Sequence, residues 1–368
     1  MVRRVVAAVA AVLVLGLACG PAGAQDEDDT GSPTTAVGYV PPAPAAYVLV
    51  DADTGAVLDG VDPRTPHLPA STIKLLTALV AYQRLPVDDP VPISTVAEGM
   101  PARKINVKAG QVWDREDLLY SMLLVSANDA AVALAERAGG GDLAGWDQVS
   151  AVAAAGLGLE DSPDLSDPAG LDDEFSHEGG SAISARDLAI VARAVLAEPE
   201  LMAIIQTEDY RFHGGDGLDH HVDRRNRLFE LYDGTIGMKT GLTERAGRTF
   251  VGAATRDGRT MLVVLFDAPD MYESAKLLLD QGFATPVASE AGLDQLPAVV
   301  PGAALDPPER IPGALDEVVP GLVTHAVEAG GHGLQWNSAP VAAGILLVGV
   351  APLVLRARRA AGRGPDRG

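Results

Sequence analysis

The alternation of apolar and polar residues predicts two β-hairpins, one near each end of the central part of the chain. The first joins Ala46–Val50 to Ala56–Leu58 around an Asp-Thr-Gly turn, and the second joins Arg248–Thr255 to Thr260–Ala268 around an Asp-Gly turn. Turn residues of this kind let the chain reverse direction with little backbone strain. An antiparallel sheet assembled from both ends of one domain is therefore expected.

Apolar residues at helical spacing dominate the sequence between the two hairpins. The runs with this spacing are Ser71–Tyr82, Glu116–Val125, Asp129–Arg137 and Ala185–Leu196, and a closing helix, Tyr272–Phe283, follows the second hairpin. Helices grouped between terminal strands favour a helical lobe packed on the sheet. The predicted fold class is α+β, and the catalytic domain is expected to span residues 45–284.

The first 24 residues have the pattern of a secretory signal peptide. Arg3 and Arg4 precede an apolar stretch, and Ala22–Ala24 supplies the small residues of a cleavage site. Lipidation of Cys19 is the alternative, but Gly16 stands where such sites have a large aliphatic residue. We expect export with cleavage after residue 24, followed by a disordered linker at residues 25–44, which are acidic and then rich in Thr and Pro.

The C-terminal part of the chain predicts a membrane anchor. Residues 339–355 carry no charged side chain and would span roughly 25 Å as a helix, against about 30 Å for the hydrocarbon core of a bilayer. Trp336 precedes this stretch and a basic tail at residues 356–368 follows it, which favours a transmembrane helix over a buried core helix and places the tail in the cytoplasm. The Pro-rich residues 285–338 are expected to form a stalk.

Composition narrows the function classes. The chain of 368 residues has a formal net charge of -22, which repels a phosphate backbone, so nucleic acid is not an expected partner. Its single cysteine lies in the predicted signal peptide, so the exported protein would have no thiol nucleophile. His213, His220 and His221 stand in a sequence rich in Gly and Asp that predicts a polar loop, and we expect neither a metal nor another cofactor.

The first candidate for catalysis is the pair Ser71 and Lys74. A spacing of three residues at the start of a helix places both side chains on one face, near the positive end of the helix dipole. A lysine that is desolvated beside another cation loses proton affinity and can accept the proton of a serine hydroxyl. Taken alone, the same spacing fits an N-capping serine and a solvated lysine equally well.

Two further polar motifs interrupt apolar surroundings. Ser126 and Asn128 stand between two helical runs, where they can cap a helix or supply a proton-relaying hydroxyl and an amide for a substrate carbonyl. Lys239, Thr240 and Gly241 precede the second hairpin, where they form either a surface turn or a binding site for a carboxylate at a sheet edge. The chain has only five lysines, and two of them occupy these motifs.

The three motifs occur in the order S-x-x-K, S-x-N and K-T-G, which resembles the set used by penicillin-binding proteins and serine β-lactamases. The chain closely resembles one branch of these proteins, the low-molecular-mass penicillin-binding proteins that are serine-type D-alanyl-D-alanine carboxypeptidases, peptidase family S11. The resemblance covers roughly residues 47–283 and includes PASTIKLLTALVA, LLVSANDAAVALAE and GTIGMKTGLTERAG. It implies the penicillin-binding, β-lactamase-like transpeptidase fold.

The resemblance also implies an acyl-serine mechanism on a peptidoglycan stem peptide that ends in D-Ala-D-Ala, with β-lactams as inhibitors. The implied catalytic residues are Ser71, Lys74 and Ser126, and the implied substrate-binding residues are Asn128, Lys239, Thr240 and Gly241. Backbone N–H groups of Ser71 and of a residue after Gly241 would form the oxyanion hole.

Three other functions use similar residues. A class A-like β-lactamase would need a deacylating glutamate, and Glu198 superficially matches its motif, although it lies too far along the chain from Ser71 for that role. A D,D-endopeptidase would use the same residues on cross-linked peptides. An inactive peptidoglycan-binding module would need neither a nucleophile nor a base, so the intact Ser71 and Lys74 argue against it.

Overall fold

The computed structural model describes residues 39–300 and Gly302. The predicted signal peptide, residues 25–38 of the linker, the transmembrane stretch 339–355 and the basic tail lie outside the described residues. Within the described range, none of the helices combines the length and apolarity needed to cross a bilayer.

The described residues form strands and helices in the following order along the chain. The strands are β1 (Ala46–Asp51), β2 (Val57–Val61), β3 (Pro90–Pro92), β4 (Val112–Asp114), β5 (Asp209–His213), β6 (Asp219–Asp223), β7 (Thr235–Thr243), β8 (Gly247–Arg256) and β9 (Arg259–Phe266). The helices are α1 (Lys74–Arg84), α2 (Thr95–Gly99), α3 (Arg115–Leu124), α4 (Asn128–Ala138), α5 (Leu143–Leu157), α6 (Ala185–Leu196), α7 (Pro199–Gln206), α8 (Leu228–Leu231) and α9 (Met271–Ala284). Short 3₁₀ turns occur at Ala70–Ile73, His177–Gly179 and Val287–Ser289.

The main sheet has five antiparallel strands in the order β2-β1-β9-β8-β7. The N-terminal hairpin joins the C-terminal strands through β1 and β9, whose register pairs Ala46 with Phe266 and Asp51 with Met261. The prediction of an α+β fold with a sheet built from both ends of the domain is confirmed. This topology leaves β7 as an edge strand, with backbone groups that another extended chain can pair with.

Strand β9 explains why the sheet forms the centre of the domain. Met261, Val263 and Leu265 belong to one buried cluster together with residues of α9, whereas Leu262 and Val264 belong to the cluster shared with the helical lobe. Successive side chains of a strand point to opposite faces, so a continuous apolar strand buries both. Helix α9 covers one face and the helical lobe covers the other.

Helix α1 is the central helix of the lobe. Its residues from Lys74 to Ala81 are all buried, so this part of the helix is enclosed by neighbouring elements. Helix α6 has the bounds that its apolar spacing predicts, and Ser184 caps it by accepting a hydrogen bond from the Asp187 N–H. The enclosure of α1 has a chemical consequence, because it carries the ammonium group of Lys74 into the interior.

Two regions differ from the sequence-based expectations. Residues 209–223, expected as a polar loop around His213, His220 and His221, form the β5–β6 hairpin. Strand β5 buries only Phe212 and strand β6 buries only Val222. Neither sequence therefore shows the repeated alternation of apolar and polar residues that would indicate a strand. The hairpin packs through aromatic rings instead, with the ring centroids of Trp113 and His220 5.1 Å apart.

The packed domain also continues past residue 284, where the stalk was expected to begin. Glu290 and Leu296 are buried, and Gln295 forms a β-bridge with Ala56 beside the edge strand β2. Arg193 donates a hydrogen bond to the Pro297 carbonyl at 2.7 Å. Residues 285–297 therefore lie against the domain, because buried arginines of the domain hold their main chain and carboxylates.

Candidate active site

Ser71 lies in the 3₁₀ turn that leads into α1, and the turn is held in an unusual conformation. The preceding residue, Ala70, has φ +46°, a left-handed conformation that non-glycine residues rarely adopt. Thr249 Oγ1 on β8 donates a hydrogen bond to the Pro69 carbonyl at 2.7 Å and anchors the turn to the sheet. Backbone strain of this kind persists only where the surroundings fix it, as they do at many functional sites.

Lys74 places its ammonium group within hydrogen-bond distance of the Ser71 hydroxyl. Its side chain is fully buried, and Nζ lies 2.9 Å from Ser71 Oγ. Nζ also donates to Asn128 Oδ1 at 2.8 Å and to the Ala169 carbonyl at 2.5 Å. Three acceptors around one buried nitrogen fix its position, so Ser71 and Lys74 form a hydroxyl–amine pair with defined geometry.

The pKa of Lys74 is held well below its ordinary value. Burial is the largest cause, because it disfavours the charged form, and the positive charge of Lys239 acts in the same direction. The carboxylates of Asp167 and Asp129 act in the opposite direction. A lysine with lowered proton affinity can be neutral near physiological pH and can then accept the serine proton.

Ser126 and Lys239 form a second hydrogen-bonded pair at the cleft. Lys239 on β7 donates hydrogen bonds of 3.0 Å to Ser126 Oγ and to the Thr240 carbonyl. Ser126 has φ +64° at the junction between α3 and α4, a left-handed conformation that residues with a side chain rarely adopt. The hydroxyl of Ser126 is thus already in contact with an ammonium group.

Asn128 occupies the first position of α4 and is almost fully buried. Its Oδ1 accepts from Lys74, and its Nδ2 donates to the Pro101 carbonyl at 3.1 Å. Both ends of the amide are engaged with protein groups. Besides lining the cleft, this side chain therefore orients Lys74, a task that the substrate-binding role expected from the sequence does not include.

Gly241 brings β7 into direct contact with the turn that carries Ser71. A Cβ atom at this position would lie 2.8 Å from the Ser71 nitrogen and 2.4 Å from Thr249 Oγ1. A residue with a side chain would therefore force β7 away from Ser71. Since β7 is the edge strand of the sheet, the close approach places an open strand edge beside the serine.

These elements enclose a cleft of about 230 Å³. The residues expected from sequence that line it are Ser71, Ser126, Asn128, Thr240 and Gly241, and they are joined by Ala102, Arg103, Gly170, Leu171, Leu242 and Thr243. Lys74 and Lys239 lie behind the lining and contact it through Ser71 and Ser126. The structure thus brings all seven expected site residues together, although they come from three separate parts of the sequence.

The loop that begins at Asp167 is one part of the site to which the sequence analysis assigned no role. It supplies the Ala169 carbonyl that accepts from Lys74, and Gly170 and Leu171 line the cleft. Every residue has a main-chain carbonyl group, so the residue type at position 169 does not indicate this role. The only local signal is the Asp-Pro-Ala-Gly succession, which indicates a turn in which Asp accepts main-chain N–H groups.

Glu198, the residue that matches the β-lactamase motif, lies far from the cleft. Its Oε1 accepts a hydrogen bond of 2.7 Å from Gln83 near the C-terminal end of α1, whereas Ser71 precedes the N-terminal end of that helix. Ten residues of helix rise about 15 Å. Glu198 is therefore remote from Ser71.

Comparison with known proteins agrees with this geometry. The family model for D-alanyl-D-alanine carboxypeptidases of peptidase family S11 matches residues 39–270. A D-alanyl-D-alanine carboxypeptidase from Mycobacterium tuberculosis is 36% identical over 262 residues, which cover 69% of this chain and 88% of the relative. A second, from Haemophilus influenzae, is 30% identical, and the alignment covers 67% of this chain and 64% of the relative.

Solved structures show the same fold. A crystal structure of a D-alanyl-D-alanine carboxypeptidase from Mycobacterium tuberculosis superposes with a TM-score of 0.60 and 34% identity, over 68% of this chain and 95% of that one. A mutant Streptomyces K15 DD-transpeptidase superposes with a TM-score of 0.58 and 25% identity, over 67% of this chain and 100% of that one. The chain belongs to the D-alanyl-D-alanine carboxypeptidase family, peptidase family S11.

Proposed function

We propose that this protein is a serine D-alanyl-D-alanine carboxypeptidase that removes the terminal D-alanine from peptidoglycan pentapeptides during cell-wall maturation. The observation that carries the proposal is the contact of 2.9 Å between Ser71 Oγ and the buried Lys74 Nζ at a cleft edged by β7. A lysine whose pKa is lowered by burial is suited to take a serine proton.

In the acylation step, neutral Lys74 takes the proton of Ser71 as Oγ attacks the carbonyl carbon between the two D-alanines. The C–N bond then breaks, and Lys74 gives this proton to the departing D-alanine nitrogen through the Ser126 hydroxyl. Lys239 donates a hydrogen bond of 3.0 Å to Ser126 Oγ, a contact that would help to orient this hydroxyl. The acyl group remains on Ser71 as an ester until a water molecule hydrolyses it.

Substrate binding is assigned to the edge of β7. The terminal carboxylate would lie against the ammonium group of Lys239 and the hydroxyl of Thr240, and the peptide would extend along the strand. Gly241 keeps the strand close to Ser71. The N–H groups of Ser71 and of a residue after Gly241 would then stabilise the oxyanion.

The contacts of Glu198 favour a carboxypeptidase over a class A-like β-lactamase. A deacylating glutamate must reach the acyl-serine, and Glu198 is engaged by Gln83 at the far end of α1. A β-lactam is therefore expected to acylate Ser71 and to act as an inhibitor, because the resulting ester is hydrolysed slowly. D,D-endopeptidase activity on cross-linked peptides uses the same groups and remains the second activity to assay.

The test is D-alanine release from a pentapeptide by the wild type, by Ser71→Ala and by the control Ser289→Ala. Ser289 is exposed and outside the cleft, so its substitution removes a hydroxyl without touching the site. We expect release by the wild type and the control and none by Ser71→Ala. Binding of the peptide without release by the wild type would instead indicate an inactive binding module.

We also propose that the protein is exported and anchored by residues 339–355, with the catalytic domain outside the membrane and the basic tail in the cytoplasm. The support is the uncharged stretch, the basic residues after it and the signal pattern at residues 1–24. A chain truncated after residue 338 should be released into the medium or periplasm. The full chain should sediment with membranes. If the full and truncated chains were found in the membrane fraction in equal proportion, the proposed anchor would be contradicted.

A further inference from the structure

Asp167 is a buried carboxylate beside the cleft that the proposed reaction does not use. The residue is 2% exposed and stands at the start of the loop that contacts Lys74. A carboxylate is costly to bury unless its oxygens are satisfied by hydrogen bonds. The groups that donate hydrogen bonds to the Asp167 carboxylate therefore indicate which part of the structure it stabilises.

The carboxylate is satisfied by main-chain N–H groups of its own loop. Oδ1 accepts from Ala169 at 2.9 Å, from Gly170 at 2.6 Å and from Leu171 at 3.0 Å. Oδ2 accepts from the His177 N–H at 2.8 Å. One side chain thus determines the path of the loop from residue 167 to residue 177.

Further contacts fix this loop against α1 and the turn that carries Ser71. Thr77 Oγ1 donates to the Pro168 carbonyl at 2.7 Å, and Lys74 Nζ donates to the Ala169 carbonyl. A Cβ atom on Gly170 would lie 1.9 Å from the Ala70 carbonyl oxygen, so the loop lies directly on the turn that carries the nucleophile. The position of Asp167 therefore determines where the Ala169 carbonyl meets Lys74.

Charged groups reach Lys74 from three sides. Lys239 on β7 disfavours its protonated form, whereas Asp167 on the loop and Asp129 on α4 favour it. Asp129 is committed to a different loop, because it accepts from the N–H groups of Ile105 and Val107. Asp167 is the carboxylate whose loop also supplies a hydrogen-bond acceptor to Lys74.

We propose that Asp167 is a positioning residue for Lys74, because its carboxylate shapes the loop that presents the Ala169 carbonyl and its negative charge opposes that of Lys239. The inference rests on the proposed function, in which Lys74 must take a proton from Ser71 and then give it up. A group that must both accept and release a proton does so best when its pKa lies near the working pH, neither far above it nor far below it. Lys239 lowers that affinity and Asp167 limits the decrease.

The test is the pH profile of kcat/KM for D-alanine release by the full chain carrying Asp167→Asn. The amide oxygen can keep the bonds of Oδ1, but the charge and the bond to the His177 N–H are lost. We expect a decrease of about 10- to 100-fold near neutral pH from displacement of the loop. We also expect the acid limb to move to lower pH, because removing a nearby negative charge lowers the pKa of Lys74.

Two matched variants separate charge from loop structure. Ser181 holds the main chain of Asp167 through two hydrogen bonds of 2.9 Å, so Ser181→Ala loosens the loop but keeps the charge. It should reduce kcat/KM without moving the acid limb. Asp164→Asn changes an exposed carboxylate that accepts from the Ser166 N–H, and it should leave both quantities unchanged. An unmoved acid limb in Asp167→Asn would overturn the proposal.

A second readout does not depend on activity. With only five lysines in the chain, ¹³C labelling of lysine side chains allows the titration of Lys74 to be followed by NMR. Its midpoint should be lower in Asp167→Asn than in the wild type, and an equal midpoint would overturn the proposal. If Asp167→Asn does not fold, Asp167→Thr offers a charge-free acceptor for the same comparison. A wild type that releases no D-alanine would refute the proposed function but would leave this titration as a valid test.

Discussion

Lys74 shows most directly how the fold creates chemistry at the scale of one residue. A lysine without solvent contact is unfavourable as a cation, yet this one is retained in the middle of the lobe with three hydrogen-bond acceptors. An arginine could not replace it, since guanidinium stays protonated and is planar and larger. The sequence alone could not decide between a base and a solvated lysine, because burial depends on helices far along the chain.

Substitution of Lys74 by Arg should abolish most of the acylation rate. A guanidinium group stays protonated and cannot accept the Ser71 proton, so we expect a loss of about 10²- to 10⁴-fold, the usual range for a general base. The measurement is the rate of acylation by a fluorescent penicillin. Lys108→Arg is the control, because Lys108 is exposed and pairs with Glu98 at the surface. Acylation of Lys74→Arg at the wild-type rate would remove Lys74 from the mechanism.

Lys239→Gln should move the acid limb of acylation to higher pH. The positive charge of Lys239 helps to hold the pKa of Lys74 below its ordinary value, so its removal raises that pKa. Lys74 then becomes protonated, and loses its function as a base, at a higher pH than in the wild type. Lys276→Gln, which removes a lysine paired with Glu273 on α9, should leave the limb in place. A shift to lower pH in Lys239→Gln would contradict the electrostatic account.

At the scale of elements, the sequence predicted those that have strong local patterns. Helix α6 and the β8–β9 hairpin follow their apolar spacing and turn residues closely. The β5–β6 hairpin was missed because its own alternation is weak and its rings pack on Trp113, which is distant in sequence. The three motifs of the site were recognisable, but the carbonyl of Ala169 was not, since its role depends on the path of a loop.

Gly241→Ala tests the contact between β7 and the turn that carries Ser71. The added methyl group would meet Thr249 Oγ1 and the Ser71 nitrogen at distances that ordinary contacts do not reach, so β7 must move. We expect acylation to fall by roughly 10-fold or more while the domain stays folded. Gly99→Ala, where an added Cβ meets nothing within 4 Å, should acylate like the wild type. Equal rates for the two variants would show that the close approach is unimportant.

At the scale of the whole molecule, the described domain includes a segment that composition alone assigns to a stalk. Residues 285–297 contain many small and Pro residues and no clear period, so their packing could not be predicted from their own sequence. They are held by arginines that lie earlier in the chain, which makes their placement a property of the folded domain. Arg259, for example, donates 2.5 Å hydrogen bonds to Asp51 and Glu290.

Glu290→Ala should destabilise the domain without affecting the cleft. Glu290 is buried and also accepts a 2.8 Å hydrogen bond from Thr54, so its removal leaves Arg259 with one carboxylate partner fewer. The expected loss is about 2 kcal/mol in the free energy of unfolding, measured by denaturant titration at neutral pH. Glu174→Ala, at an exposed position, should unfold like the wild type. Unchanged stability of Glu290→Ala would mean that the segment is not part of the cooperative domain.

The central claim is that Ser71 is the nucleophile of a serine acyl-enzyme. The most direct test is the intact mass of the protein after incubation with a penicillin, followed by peptide mapping of the modified residue. The account predicts one adduct per chain, carried by the peptide that contains Ser71 and absent from Ser71→Ala. An adduct on another residue, or equal labelling of Ser71→Ala, would contradict it.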